Sequence, residues 1–194
     1  MRGNFATLLT GEQIESRLRE IAADLVAEKI PSGSGEILLV PIMAGAERAC
    51  GKLRGFLEEE LKGKTFAAST AAISEKPLYI QRSVGTLLLK PSLVNFPYTE
   101  KDFAGKTVVI VDDLVDEGLT LKLAHETIAR FSPLRLVTVV VVKKSDIHTD
   151  GWLDYSAFQL CYPLEKARKR WLFGYGMDID GEGRDLDFIG EISL

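Results

Sequence analysis

The densest set of chemically competent side chains lies between residues 108 and 120. Residues 108–111 are four apolar, mostly β-branched residues, which is typical of a central strand that is buried on both faces. The stretch that follows is acidic and contains Asp112, Asp113, Asp116, Glu117, Gly118 and Thr120. Beyond it, an apolar stripe predicts an amphipathic helix. This segment therefore combines a buried strand, an acidic loop and a helix N-terminus.

This arrangement predicts a ligand-binding turn. In open α/β sheets, ligands bind at the carboxyl ends of the strands. The backbone N–H groups of residues 116–120, with the helix dipole behind them, suit a phosphate group. Asp112 and Asp113 suit sugar hydroxyls or a divalent cation. The alternative is that these acids only solvate a strand-to-helix turn, but the ordered run favours a sugar phosphate that carries a metal ion.

A second strand-to-helix turn lies earlier in the chain. Residues 36–42 predict a first central strand, and residues 43–46 form a turn into a helix. Before this strand, Thr10 and Gln13 make a capping-box pattern that opens an amphipathic helix, which ends near Lys29. Because parallel strands end at one edge of a sheet, the two turns can together line one pocket.

The middle of the chain gives a weaker pattern. Residues 65–73 alternate small and apolar side chains and predict a strand. Residues 79–81 and 86–89 have the composition of two strands of a hairpin. We expect residues 74–100 to form a flap hairpin or mobile loop that closes over a ligand, with a plain surface hairpin as the alternative.

The last third adds further strands. Residues 134–142 predict a strand that ends at Lys143, residues 155–161 predict another, and residues 188–192 predict a short final one. We expect a single domain, residues 1–194, of the α/β class with a mainly parallel sheet flanked by helices.

The composition limits the compartments and partners. The net charge of −4 argues against nucleic acid as a partner, and the basic run at residues 166–170 is interpreted as a solvated loop. No apolar run approaches the ~20 residues that span a bilayer, and the N-terminus lacks a signal-peptide pattern. The two cysteines, Cys50 and Cys161, suit free thiols. We therefore expect a cytoplasmic protein without a membrane partner.

The run from residue 108 to residue 120 resembles the phosphoribosyl-pyrophosphate (PRPP) loop of type I phosphoribosyltransferases. Lys143 at a strand end, the sequence Trp-Leu-Phe-Gly-Tyr-Gly-Met-Asp at residues 171–178, and Arg184 six residues later resemble the hypoxanthine-guanine branch of the purine enzymes. Order and spacing match from about residue 10 to residue 192. The resemblance implies the type I phosphoribosyltransferase fold, with a small hood and with residues 152–194 as its base-binding part.

The resemblance also implies a reaction. A 6-oxopurine, namely hypoxanthine, guanine or xanthine, would react with PRPP to give a nucleoside 5′-monophosphate and pyrophosphate in purine salvage. It implies Mg²⁺ as the cofactor and a homodimer or homotetramer as the assembly.

The implied site residues fall into groups by ligand. Ribose hydroxyls and metal would be bound by Asp112 and Asp113, with Asp116 as general base or charge partner of the purine ring. The remaining PRPP contacts would come from Glu117, Gly118, Leu119 and Thr120 at the 5′-phosphate and from Ala44, Gly45 and Arg184 at pyrophosphate. The purine would be bound by Lys143 at its exocyclic oxygen, by stacking on Trp171, and by backbone carbonyls near Leu172 and Asp178. Asp178 would also bind Mg²⁺.

Three positions depart from the family pattern. Glu117 stands where a small residue normally faces the 5′-phosphate. We expect its carboxylate to point away, because two like charges at ~4 Å repel by roughly 1 kcal/mol in water and ~4 kcal/mol at an effective dielectric of 20. Ala44 stands where a Lys usually precedes Gly45, and the family's cis peptide bond at that turn cannot be read from the sequence. Residues 74–84 lack the family's Ser-Tyr pair. These changes predict a lower affinity for PRPP.

The competing hypothesis is a non-catalytic protein that senses PRPP or a nucleotide, or binds a partner protein, on the same fold. Ala44 and Glu117 favour it. The acidic pair, Asp116, Lys143 and Asp178 favour an enzyme, because a regulator has no need of base-reading and metal-binding groups together. An enzyme acting on another nitrogen nucleophile also stays open, because acceptor choice depends partly on residues 74–100.

Overall fold

The structure is a computed structural model that describes residues 5–30, 36–62, 72–84, 87–149 and 151–193. Its strands are β1 (Ala6–Thr10), β2 (Glu36–Met43), β3 (Ala72–Glu75), β4 (Leu78–Val84), β5 (Leu87–Leu93), β6 (Thr107–Val115), β7 (Arg135–Ser145), β8 (Tyr155–Tyr162), β9 (Arg170–Phe173) and β10 (Phe188–Ser193). Its helices are α1 (Gly11–Asp24), α2 (Glu47–Leu61), α3 (Glu100–Phe103), α4 (Leu119–Ala129) and α5 (Leu164–Ala167).

Seven strands form the main sheet, in the order β5-β4-β2-β6-β7-β8, with β3 paired to β2. The pairs β2–β6, β6–β7 and β7–β8 are parallel, and so are the pairs that β2 makes with β3 and β4. Among the described strands of this sheet, only β4 and β5 pair antiparallel. The predicted α/β class with a mainly parallel sheet is confirmed.

Helices cover both faces of this sheet. Along β6, Val109 and Val111 are buried in a cluster with residues of α1 and α2, whereas Val108 and Ile110 are buried in a second cluster with residues of α4. Successive side chains of a strand point to opposite faces, so a strand buried on both faces must be apolar throughout. This explains the continuous apolar run in the sequence of β6.

Local sequence signals placed α1 correctly. The Thr10 hydroxyl accepts from Gln13 N at 3.3 Å, and Thr10 N donates to the Gln13 side chain at 2.9 Å, which makes both bonds of the capping box. α1 continues into a wider π-helical turn, Leu25–Lys29, so that the helical segment ends where the sequence predicts.

Long-range pairing produced the differences from prediction. β6 extends through Asp112 and Asp113 to Val115, because its ladder with β7 continues past these acids. β1 is absent from the sequence interpretation because its partner is β10, at the other end of the chain. The strand predicted at residues 65–73 falls largely on residues 63–71, outside the described residues, and β3 begins at Ala72.

A smaller antiparallel sheet, in the order β1-β10-β9, is formed by the two ends of the chain. We call it the hood sheet. β9 contributes Trp171 and Leu172 to a cleft that is also lined by the ends of β2 and β6. In the described part of the chain, no helix has both the length and the apolar character to cross a membrane.

Candidate active site

A cleft of about 730 Å³ lies at the carboxyl ends of β2, β6 and β7, and this volume suits a small-molecule ligand. Its sheet side is lined by Ile42, Met43, Ala44, Gly45, Asp112, Asp113, Leu114, Asp116, Glu117, Thr120 and Lys144. Its other side is lined by Arg168, Arg170, Trp171, Leu172, Met177, Asp178 and Arg184. The cleft thus brings together all of the predicted site residues except Gly118, Leu119 and Lys143.

Asp112 and Asp113 form an acidic pair at the end of β6. Asp113 N donates to Asp112 Oδ1 at 3.0 Å. Burial, and then the charge of Asp113, hold the pKa of Asp112 well above its ordinary value. Burial also raises the pKa of Asp113, against the opposing effects of its hydrogen bond with Asp112 and the charge of Arg184. Hydroxyl donors or a cation would relieve both carboxylates.

The acidic pair also fits the Mg²⁺ ion that the resemblance implies. Carboxylate oxygens are the ligands that Mg²⁺ prefers, and proteins usually bind it through one or two carboxylates together with substrate oxygens. Among the described residues, no group of three or more His, Cys, Asp or Glu side chains is arranged to hold a metal ion by itself. A Mg²⁺ ion held by this pair would take its remaining ligands from water and from substrate oxygens.

Glycine backbone brings three parts of the cleft into close approach. A Cβ atom on Gly45 would lie 1.9 Å from Asp113 Oδ2, and one on Gly176 would lie 2.0 Å from Gly45 O. The turn after β2, the acidic pair and the turn after β9 can therefore pack together only because these positions lack side chains. The peptide bond between Met43 and Ala44 is cis.

Asp116 is bound by a buried lysine. Lys144 Nζ donates to Asp116 Oδ2 at 2.7 Å and to Arg170 O at 3.0 Å. The Ser145 hydroxyl donates to Asp116 O. The second carboxylate oxygen, Oδ1, is buried and has no hydrogen-bond partner within the described ranges. Buried acceptors are normally satisfied, so this atom is a candidate contact for a ligand N–H.

The lysine that faces the cleft is Lys144 and not Lys143, and this corrects the prediction. Lys143 Nζ lies 3.3 Å from Thr149 Oγ1 and does not line the cleft. The two side chains reach different partners, Lys144 at Asp116 and Lys143 at Thr149, next to an irregularity in the β7–β8 ladder between Lys143 and Ser145. The sequence shows two adjacent lysines at a strand end but does not show which face each one takes.

Glu117 does not point away from the cleft as expected. It lines the cleft, and its Oε1 accepts from Arg168 Nη2 at 2.8 Å and Nε at 3.1 Å. Arg168 lies just beyond α5, in the basic run that we interpreted as a solvated loop. The Arg168 side chain is exposed, as that interpretation expects, but Arg168 and Arg170 also line the cleft. The signal that could have indicated their place in the cleft is that this run directly precedes Trp171 in the sequence.

The rest of the predicted phosphate loop leads into α4. Gly118 precedes the helix with φ +74°, and a Cβ atom there would meet the Trp152 ring at 2.4 Å. Both the backbone conformation and the contact therefore require glycine. Thr120 lines the cleft, whereas the Leu119 side chain is exposed. Leu119 can thus contribute only its backbone.

The remaining predicted residues lie on the hood side. Trp171 exposes 46% of its surface although it is aromatic, and Leu172 beside it is buried. The Asp178 carboxylate is ion-paired with Arg184 and accepts from Gly181 N at 2.7 Å. Arg184 Nη1 also donates to Gly176 O at 2.7 Å. An exposed indole above a charged cleft suits stacking on a planar ligand.

The sequence of the chain is similar to a known family and to named relatives. Residues 5–150 match the family model described as the phosphoribosyl transferase domain. The chain is 26% identical to the hypoxanthine-guanine phosphoribosyltransferase of Mycobacterium bovis over 191 residues, covering 96% of this chain and 85% of that protein. It is 28% identical over 180 residues to the protein of the same name from Aquifex aeolicus, covering 92% and 89%.

The fold is shared with solved structures. A structure of Trypanosoma cruzi hypoxanthine phosphoribosyl transferase matches with a TM-score of 0.73 at 21% identity, covering 100% of this chain and 94% of that one. This likeness shows the shared fold, and the sequence relatives confirm the predicted resemblance to the hypoxanthine-guanine branch. The family match over residues 5–150 leads to one conclusion: this chain belongs to the phosphoribosyl transferase domain family.

Proposed function

We propose that the protein transfers the phosphoribosyl group of PRPP to a 6-oxopurine (hypoxanthine, guanine or xanthine) in purine salvage. The proposal rests on the hydrogen bonds of the Asp116 carboxylate. One of its oxygens is bound by Lys144, and the other is buried with no hydrogen-bond partner within the described residues. A purine ring N–H is a donor of the right kind for that oxygen.

The base would be read by Lys144 and Trp171. An ammonium group has three donors, of which Lys144 uses two, on Asp116 and on Arg170 O. The third is available for the exocyclic oxygen of a 6-oxopurine. Adenine carries an amino donor at that position, so it would be rejected by a donor–donor clash. The exposed Trp171 ring would stack on the purine face.

The sugar phosphate would lie along the sheet edge. Asp112 and Asp113 would accept hydrogen bonds from the ribose hydroxyls, and the N–H groups of the turn before α4 would hold the 5′-phosphate. Mg²⁺, held by these acids and substrate oxygens, would offset the negative charge of the pyrophosphate. Arg184 offers a bidentate donor for the same group.

The residues then act together in one displacement. The ring nitrogen forms a bond to the ribose carbon as the bond from that carbon to the pyrophosphate oxygen breaks. Asp116 accepts the ring proton or balances the charge that develops on the base. Donors around the leaving group stabilise its growing negative charge.

The test is a direct assay of the purified protein with Mg²⁺, PRPP and each of hypoxanthine, guanine, xanthine and adenine. We expect nucleotide and pyrophosphate to form with a 6-oxopurine and not with adenine. Folded protein that turns over none of these bases would overturn the proposal. Omission of Mg²⁺ from the productive reaction tests the cofactor.

A second candidate is a non-catalytic sensor of PRPP or a nucleotide. It is favoured by two observations on the phosphate-binding turns, namely the missing cation at Ala44 and the carboxylate of Glu117 in the cleft wall.

We further propose a cytoplasmic homodimer or homotetramer. In the Trypanosoma cruzi protein, the C-terminal region has a role in the oligomeric state and enzymatic activity.

A further inference from the structure

We propose that Arg168 is a 5′-phosphate-binding residue and that Glu117 holds its guanidinium beside the phosphate turn until a phosphate replaces the carboxylate. This inference rests on the proposed function, because it assumes that a sugar phosphate occupies the cleft. It assigns a specificity role to a residue on the hood side of the cleft, outside the loop that precedes α4.

The ion pair lies at the right place. Arg168 and Glu117 are 51 residues apart in the sequence, yet Nε and Nη2 both bind Glu117 Oε1, at 3.1 and 2.8 Å. Both residues line the cleft. Glu117 directly precedes Gly118, the residue before α4, where the free N–H groups of the helix would hold a phosphate. The guanidinium is therefore adjacent to that anion site.

The charges require a partner for Glu117. An unpaired carboxylate in this turn would repel a phosphate dianion. Arg168 neutralises it, and the two contacts use two of the five N–H donors of the guanidinium. Arginine binds phosphate in the same forked geometry as carboxylate, so the group can rotate from one anion to the other.

The exchange should be easy because the pair is loosely held. The Arg168 side chain is 61% exposed, and exposed ion pairs contribute little to stability. A phosphate dianion carries more charge than the carboxylate and competes well for the guanidinium. Lys166 and Lys169 flank Arg168 in the sequence but are exposed and do not line the cleft. They provide matched controls for the general effect of positive charge.

The test compares two ligands that differ only in the 5′-phosphate: inosine 5′-monophosphate and inosine. Calorimetric titration of the wild type, R168Q and K169Q would give their affinities. We expect R168Q to weaken the monophosphate about tenfold, as for the loss of one charge-assisted hydrogen bond, and to leave inosine within twofold. K169Q should leave both ligands within twofold, although it removes the same charge.

A double-mutant cycle tests the exchange itself. E117Q should bind the monophosphate more tightly than the wild type, because Arg168 is released and the repulsion is gone. E117Q/R168Q should bind it more tightly than R168Q, in which the carboxylate stays beside the phosphate and the Arg168 charge is gone. A double variant that binds no better than R168Q would overturn the exchange.

The outcomes separate this inference from the function. Wild-type turnover of a 6-oxopurine, with R168Q binding both ligands as the wild type does, would overturn the role of Arg168 and leave the proposed function intact. Equal weakening of both ligands in R168Q would show a structural role and would also overturn it. Wild-type protein that neither turns over a purine nor binds PRPP or the monophosphate would overturn both.

Discussion

Lys144 Nζ lies 2.7 Å from Asp116 Oδ2 and so joins the end of β7 to the residue that follows β6. The same ammonium donates to Arg170 O at 3.0 Å, which ties the main sheet to β9 of the hood sheet. The side chains of this pair are only 5% and 21% exposed. One cation thus fixes the distance between the candidate general base and the side of the cleft that would hold the purine.

Replacement of Lys144 should lower activity strongly, whereas replacement of the adjacent Lys143 should have little effect. K144M should lower kcat/KM for a 6-oxopurine about 100-fold, because it removes a donor near the developing charge. It should also destabilise the protein by roughly 1–3 kcal/mol, because it leaves Asp116 Oδ2 without the hydrogen bond from Lys144. K143M should stay within threefold in kcat/KM. Steady-state kinetics and urea unfolding measure the two effects, and the reverse ranking of the variants would refute the placement of Lys144.

D116N should separate an enzyme from a sensor. Asparagine keeps an acceptor for Lys144 but cannot take up a proton or balance a positive charge on the base. We expect kcat to fall by about 10²- to 10⁴-fold while PRPP binding stays within about threefold. Pre-steady-state turnover and calorimetric PRPP titration provide the readouts. Unchanged kcat would remove Asp116 from the chemical step.

The acidic pair makes stability depend on pH. The pKa of Asp112 is raised in the folded protein above its ordinary value of 3.8, chiefly by burial. At pH values between 3.8 and the raised folded pKa, the folded state holds a proton that the unfolded chain has released. The contribution of Asp112 to stability is therefore complete below pH 3.8 and is lost as the pH rises through the folded pKa. D112N removes this loss and keeps the acceptor for Asp113 N.

Ligand-free D112N should therefore be more stable than the wild type at pH 7 to 8, by on the order of 1 kcal/mol, the usual size of a stabilising substitution. The difference should vanish near pH 4, and PRPP binding should weaken at all pH values. Thermal unfolding across this range provides the measurement. A gain in stability that does not change with pH would point to packing and not to ionisation.

Two glycines should respond in opposite directions to alanine. G118A places a side chain at φ +74° and within 2.4 Å of the Trp152 ring, so it should destabilise the protein by roughly 2 kcal/mol and weaken phosphate binding. G55A lies within α2, where a Cβ atom meets nothing within 4 Å. It should stabilise the protein by about 0.5–1 kcal/mol. Chemical unfolding of G118A and G55A measures both effects. Equal destabilisation of the two variants would contradict the difference expected from their backbone conformations and surroundings.

The sequence by itself determined what depends on neighbouring residues. The capping box at Thr10, the buried run of β6 and the helix stripe of α4 are local patterns with fixed periods, and they predicted the α/β class. The order of acids, glycine and threonine before α4 also predicted the candidate phosphate turn. These features require no knowledge of which distant residues come together.

The tertiary structure decided what depends on distant contacts. The choice of Lys144 over Lys143 follows from contacts with distant residues, Asp116 and Arg170 O. The orientation of Glu117 follows from Arg168, 51 residues away. β1 exists as a strand because the other end of the chain pairs with it. Side-chain direction in a strand and ion pairs between distant segments are properties of the packed sheet, and no local pattern encodes them.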